Sequence, residues 1–418
     1  MYSVIKKLHP NIKARLFISF ITKLHTTAIL SILPIFLSGK ASVIYISIIM
    51  TILVGANIFG KFIGGILGDK YQKKLLLVRI SLSEILIYIS LLYFLFVDKD
   101  NIIMLGILFI LNAFMSSMKG PIIDSILLDS ITKEERANVF TINYWLFNLS
   151  LSFSFVLAGF VFNGVMIHIV LFGTICHIIS AFCIYYFIHE VDSVSDISTK
   201  RKKSFSFGYG IILLDKRFMV YCIGMLLVLG VEFQLPNYIA VYLNKNFNSI
   251  VLGYDINGIK MLSLIQLINS ILIVLLPLVL NKFIDLDNPF TFMVGIVAYS
   301  MGYAMLLLTD NFNLLVLLAV LFSIGEMLYY PIKQVILAEI VPKESQTKYM
   351  AFHQIITHAS RIIGTFGLTL FSFINIYFVS IIIFMLGILG GIMIYLPRND
   401  KYFSKKQYEC NSLQTKKL

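Results

Sequence analysis

Charge is what this sequence of 418 residues has least of: Asp, Glu, Lys and Arg make up 13% of it, beside 58% hydrophobic residues. An ordinary soluble domain carries roughly 25% charged residues. The imbalance excludes a soluble globular enzyme, and the apolar runs recur at the length of about 20 residues that crossing a bilayer takes. Too little polar sequence lies between them for a sizeable soluble domain. Close-set cysteines are missing as well. Cys176, Cys183, Cys222 and Cys410 show none of the short spacings of a metal site, and the first three lie in apolar runs, where a free thiol behaves as a small hydrophobe. No Gly-x-x-x-x-Gly-Lys-Ser/Thr loop is present, so ATP is not expected to drive this protein, and no cofactor or metal is expected. A compact catalytic constellation is missing too, and an enzyme is not expected. His353, His358 and Arg361 come nearest to one, along a single helix with no nucleophile beside them. The first apolar segment, 14–38, is too long for a leader core and is read as retained.

What is there is a string of apolar segments broken by polar and turn-forming clusters. The breaks predict twelve helices, at 14–38, 42–66, 74–97, 102–130, 137–163, 166–188, 217–243, 253–281, 289–309, 312–341, 347–374 and 376–396. The longest polar interruption, "HEVDSVSDISTKRKKSFSFGYG", divides them six and six. The expected organisation is an all-α membrane protein with one six-helix bundle in 1–190, a linker in 191–216 and a second bundle with a basic tail in 217–418. The net charge of +12 follows the loops. With the amino end in the cytoplasm, 25 of the 34 cations fall in loops on that side, and only Lys40, Lys99 and Lys245 on the other. By the positive-inside rule both termini face the cytoplasm, so the basic tails are topology signals and no nucleic-acid partner is expected. The Ile-, Lys- and Asn-rich usage hints at an AT-rich bacterium, which makes the bacterial cytoplasmic membrane the expected location. A monomer is expected.

The two halves share a pattern. Pro121, Asp129, Lys133 and Glu134 in the fourth segment are matched by Pro331, Glu339, Lys343 and Glu344 in the tenth, every time 210 residues later. Duplicated halves related by an axis along the membrane normal suit a transporter whose bundles rock about a site near the midplane.

Between the second and third segments stands "GGILGDKYQKK". Its Gly65, Asp69, Lys70, Lys73 and Lys74 resemble the loop signature of the major facilitator superfamily, with Gln72 where the family usually has glycine. The fourth and tenth segments, "KGPIIDSILLDSITKEER" and "GEMLYYPIKQVILAEIVPKE", look like the drug:proton antiporter branch of bacterial exporters. That branch usually carries a Gly-Pro pair in the fifth segment, and "NYWLFNLSLSFSFVLAGF" has none. The resemblance implies twelve helices in two pseudo-symmetric bundles. It also implies a latch in which Gly65, Asp69, Lys70, Lys73 and Lys74 meet Asp129 and Arg136, and a central cavity lined by segments 1, 4, 7 and 10.

Inside the apolar segments remain Lys23, Lys61, Lys119, Lys260, Lys333 and Arg361, with Glu84, Asp124, Glu232 and Glu326. Each costs about 2.5 to 3.5 kcal/mol at a helix centre unless it meets a partner or water. Lys61 and Lys260 lie near helix ends and suit snorkelling, and Glu84 is a partner for Lys61. Lys119 and Asp124 lie about 140° apart around their helix, so they reach different neighbours. Gln354, His358 and Arg361 form a polar stripe on one face. Lys23, Lys119, Asp124, Glu232, Asn237, Glu326, Tyr330, Lys333 and Arg361 are therefore the expected substrate contacts, with Asp124, Glu232 and Glu326 as groups that burial could tune for proton coupling. The excess of cations favours a negatively charged ligand. The function expected is proton-coupled export of a small anionic or zwitterionic amphiphile, such as a carboxylate siderophore. Multidrug efflux, uptake of a small anion with protons, and lipid flipping are the alternatives.

Overall fold

The computed structural model describes residues 9–130, 136–188, 209–280, 288–342 and 346–398. Six long helices form the first half: α1 (Pro10–Ser38), α2 (Val43–Lys70), α3 (Lys73–Val97), α4 (Ile102–Ser130), α5 (Arg136–Val156, running into a π-helical turn at Leu157–Val161) and α6 (Met166–Phe187). After the short α7 (Tyr209–Leu214) come α8 (Lys216–Glu232), a second π-helical turn (Leu235–Ile239) and α9 (Ala240–Asn246), which together make the seventh crossing. A hairpin of β1 (Asn248–Val251) and β2 (Tyr254–Asn257) leads to α10 (Gly258–Leu280), α11 (Pro289–Met305), α12 (Phe312–Ile340), α13 (Gln346–Ser372) and α14 (Ile376–Tyr395). Most of the expected linker falls outside the described residues.

Short polar residues start several helices by accepting an otherwise unpaired backbone N–H. Ser42 caps α2, Asp215 α8, Asn288 α11, Asn311 α12 and Asn375 α14. The break in the seventh crossing lies at Pro236, which has no N–H to return to the carbonyl of Glu232, and the chain widens there into a π turn. The eighth helix starts at Gly258 and not at residue 253 as the hydropathy predicts. Leu252 and Gly253, at φ 52° and 81°, turn the chain back on itself, and Asn248 pairs with Asn257 across the hairpin.

The helix packing repeats between halves. In the first, α2 packs on α4, α3 on α4 and α6, and α1 on α5 and α6. In the second, α10 packs on α12, α11 on α12 and α14, and α8 on α13 and α14. These are the same five pairs in the same order, so the chain is two pseudo-symmetric six-helix bundles. Small residues bring the paired helices together. A Cβ on Gly64 of α2 lies 2.3 Å from the carbonyl oxygen of Met118 in α4, and one on Gly325 of α12 lies 2.4 Å from the backbone nitrogen of Tyr299 in α11. Gly64→Ala therefore forces α2 off α4, and we expect a loss of about 1–3 kcal/mol, read as an earlier thermal unfolding of the purified protein.

The two ends of the molecule differ. One carries the hairpin and the loops at Lys40 and Asp100, where Lys40 Nζ lies 2.5 Å from Asp100 Oδ1 and ties the first inter-helix loop to the third. The lysine beside Asp100 holds its carboxyl below the usual carboxylate range. The other, basic end carries Arg15, Lys70, Lys73, Lys74 and Arg79 at the ends of α1, α2 and α3.

Candidate functional site

The bundles meet along α2 against α13, α5 against α10, and α1 against the π turn and α9 of the seventh crossing. Toward the hairpin end the seam is closed. Ser47 Oγ donates to the carbonyl of Thr365 at 2.7 Å, the Thr51 and Thr365 hydroxyls are 2.9 Å apart, and Gly159 packs directly on Ser263. Lys61 follows Thr51 on α2 by about 15 Å of helix rise. Its Nζ lies 2.7 Å from Nε2 of His358 on α13, again across the seam.

Charges from both bundles collect around that contact. Arg361, one turn beyond His358, and Lys61 both act electrostatically on Lys23 of α1, and Arg361 also acts on Lys61. On the far side Glu232 of α8 faces Arg361 and Lys333, and Glu326 of α12 faces Glu232 and Lys333 while accepting from Asn269 Nδ2 at 3.0 Å. Aromatic faces support the cations. Lys23 Nζ sits 4.5 Å from the Phe147 ring centre, the Arg361 guanidinium 5.3 Å from Phe233, and Lys333 Nζ 4.3 Å from Tyr330 and 5.2 Å from Tyr329. Among the described residues, no carboxylate comes within 4.0 Å of Lys23, Lys61, Lys333 or Arg361, and Arg361 Nε is buried without a hydrogen-bond acceptor. Four cations against two carboxylates leave the seam positive, and a planar guanidinium with a free donor is suited to a carboxylate.

Other expected contacts lie elsewhere. Lys119 does not reach the seam: its ammonium pairs with Glu84 inside the first bundle, where the two residues are 2% and 0% exposed. Glu84 thus has Lys119 as its partner and not Lys61, and Lys61 crosses the seam where snorkelling was the expectation. Lys119 and Asp124 do reach different neighbours. Asp124 pairs with Arg15 at 2.8 Å near the basic end with its side chain 61% exposed, which removes the burial that proton coupling there was expected to use. Arg15 also donates to Asn143 Oδ1 at 2.5 Å, so one guanidinium joins α1, α4 and α5. Asn237 is turned onto its own helix, donating to the Phe233 carbonyl at 2.8 Å where the π turn begins. Lys260 is spent on the hairpin, donating to the Asp255 carbonyl at 2.8 Å.

Of the expected latch, Gly65 and Lys70 lie in the last turns of α2, and Lys73 and Lys74 open α3. Lys70 stacks over Tyr71 at 5.6 Å and Lys74 over Tyr185 at 5.8 Å. The side chains of Asp69, Asp129 and Arg136, and the whole of Lys133 and Glu134, lie outside the described residues. Sequence reasoning had placed His358 on a polar stripe without assigning it to the site. Its signal was the i, i+4, i+7 spacing from Gln354 to Arg361.

The fold has counterparts among known proteins. The chain is 20% identical over 361 residues to a Na(+), Li(+), K(+)/H(+) antiporter of Planococcus maritimus, covering 81% of this chain and 83% of that one. Its fold superposes on the nucleoside transporter NupG with a TM-score of 0.71 at 13% identity, covering 93% of this chain and 99% of that one. A POT family transporter solved in complex with a thioalcohol-conjugated peptide gives 0.70 at 14% identity, with 94% and 99% covered. The profile of the Major Facilitator Superfamily matches residues 15–285 and 246–408. With two repeated six-helix bundles meeting at a charged seam and this match across nearly its whole length, the chain belongs to the Major Facilitator Superfamily.

Proposed function

We propose that this protein is a proton-coupled antiporter that exports a small anionic or zwitterionic amphiphile, a class that includes carboxylate siderophores. The observation that carries the reading is the group of Lys23, Lys61 and Arg361, contributed by both bundles and lacking a carboxylate partner among the described residues. Like charges held together in low dielectric repel, and a bound carboxylate relieves both the repulsion and the desolvation. Phe147, Phe233 and Tyr330 give the apolar part of such a ligand aromatic surface. Glu232 and Glu326, which face one another and Lys333, are the groups we assign to the proton. Protonation of one lowers the negative charge opposite Arg361 and so changes its hold on an anion.

By the positive-inside rule we take the basic end and both termini to face the cytoplasm, with the hairpin outside. The closed seam then corresponds to a form shut to the exterior, and the transport step is its opening while the cytoplasmic side closes. Cysteines at Thr51 and Thr365, whose hydroxyls are 2.9 Å apart, test this. We expect the Thr51→Cys, Thr365→Cys double variant to lose transport on oxidation and regain it on reduction, with neither single variant responding.

A second reading, exchange of a cation for protons as the Planococcus relative's name describes, draws on Glu232 and Glu326 facing one another at the same seam. Proteoliposomes under an imposed pH gradient separate the two. The anion reading expects gradient-dependent movement of labelled di- and tricarboxylates and none of Na⁺, K⁺ or an organic cation. Movement of cations alone overturns it.

A further inference from the structure

The first bundle encloses an ionic cluster that takes no part in the seam. Glu84 and Tyr88 of α3, Lys119 of α4, His177 of α6 and His25 of α1 are each at most 2% exposed. Lys119 and Glu84 form the ion pair, and His177 Nδ1 lies 3.3 Å from the same carboxylate oxygen. The His177 ring is centred 4.4 Å from that of His25 and 4.3 Å from that of Tyr88. Among the described residues, His177 Nε2, His25 Nε2 and Ser180 Oγ are buried with no hydrogen-bond partner.

The second bundle fills the corresponding place without charge. Tyr329 stands 210 residues after Lys119, the offset of the repeat, and Tyr299 and Tyr303 of α11 repeat the i, i+4 spacing of Glu84 and Tyr88. Tyr299 packs on Tyr329 at 5.1 Å across the α11 and α12 contact, as Glu84 meets Lys119 across α3 and α4. This scaffold therefore closes the contact with tyrosines alone. A buried ion pair is seldom more stable than well-packed side chains of similar volume, so packing does not account for the charges in the first bundle.

We infer that the cluster is a proton-binding site, separate from the seam, in which His177 takes one proton and Glu84 exchanges partners. With Nδ1 turned to Glu84, the unpartnered Nε2 is the base. A proton added there makes an imidazolium whose Nδ1–H competes with Lys119 for the Glu84 carboxylate. The facing groups are Glu84 and Tyr88 from α3, Lys119 from α4 and His25 from α1, with Ser180 on the same helix. Two imidazoles this close do not both carry charge, which limits the uptake to one proton. Release of Lys119 acts on α4 at a weak point. Pro121, two residues on, removes a backbone hydrogen bond to Ser117, whose hydroxyl already bonds back to the Phe114 carbonyl at 2.9 Å. Protonation in the first bundle thus loosens α4, the helix that carries Asp124 to Arg15. What the proton does for transport rests on the antiporter reading, whereas its binding does not.

The test is a pH titration of the full-length protein in nanodiscs, carrying [¹³Cε1]-histidine and read by NMR. The chain has 7 histidines, and His177→Gln identifies the resonance. We expect that resonance to shift reversibly with one proton over the range in which the protein stays folded. The shift is expected to disappear in Glu84→Gln, and in the double variant Glu84→Tyr, Lys119→Tyr that installs the second bundle's residues. A resonance that stays fixed over that range overturns the site, as does one that titrates unchanged in either variant. Should one variant fail to fold, the other and the wild-type titration decide. A titrating His177 without proton-coupled transport overturns the antiporter reading and leaves the site standing, and an inert His177 beside proton-coupled transport overturns the site alone.

Discussion

Replacing Arg361 with glutamine is expected to lower carboxylate transport by about 100-fold, with the fold intact. Its guanidinium is the one planar, bidentate donor in the seam cluster, and Nε has no acceptor to give up when a ligand arrives. Removing one member of a desolvated charge pair costs about 2–5 kcal/mol, and each 1.4 kcal/mol is tenfold in affinity. Arg361→Lys keeps the charge without the fork and is expected to recover only part of the loss. Lys23→Met and Lys61→Met remove single point charges and should cost less, about tenfold each by the same scale. None of the three is expected to destabilise the protein, because each relieves repulsion among cations that have no carboxylate within 4.0 Å among the described residues. Rates of labelled carboxylate uptake, set beside thermal unfolding of the same preparations, distinguish lost binding from lost structure.

Lys119→Ala is expected to behave in the opposite way, as a stability variant. It leaves the Glu84 carboxylate fully enclosed beside His177, and stripping one partner from a buried pair costs about 3–5 kcal/mol. The purified variant should unfold well below the wild type. The double variant Glu84→Tyr, Lys119→Tyr should regain most of that loss, since Tyr299 and Tyr329 already close the same contact in the other bundle. If Lys119→Ala unfolds with the wild type, the ammonium is not held by Glu84 and belongs with the seam cations after all.

Nearly all of the fold was legible because a bilayer leaves backbone polar groups only their own helix, so hydropathy and polar breaks locate each crossing within a few residues. The exception is the start of the eighth crossing. Residues 253–257 read as the start of the helix, and the turn that puts them in a hairpin rests on a positive φ at Leu252, for which leucine carries no signal. The site was legible as a list of intramembrane charges and as faces within single helices. Gln354, His358 and Arg361 did fall on one face, and Lys119 and Asp124 on two. What spacing along one helix does not hold is the neighbouring helix. Glu84 finds Lys119 because α3 packs on α4, and Lys61 finds His358 because α2 packs on α13, and these contacts are set by the whole bundle.

The two bundles share one anion site only if Lys61 and Arg361 act on the same ligand, and a double-variant cycle on carboxylate transport reads this directly. The account expects strong coupling: once Arg361→Gln is present, adding Lys61→Met should cost little more. Losses that simply multiply, or a Lys61→Met, Arg361→Gln protein that still carries every carboxylate at the wild-type rate, would contradict it.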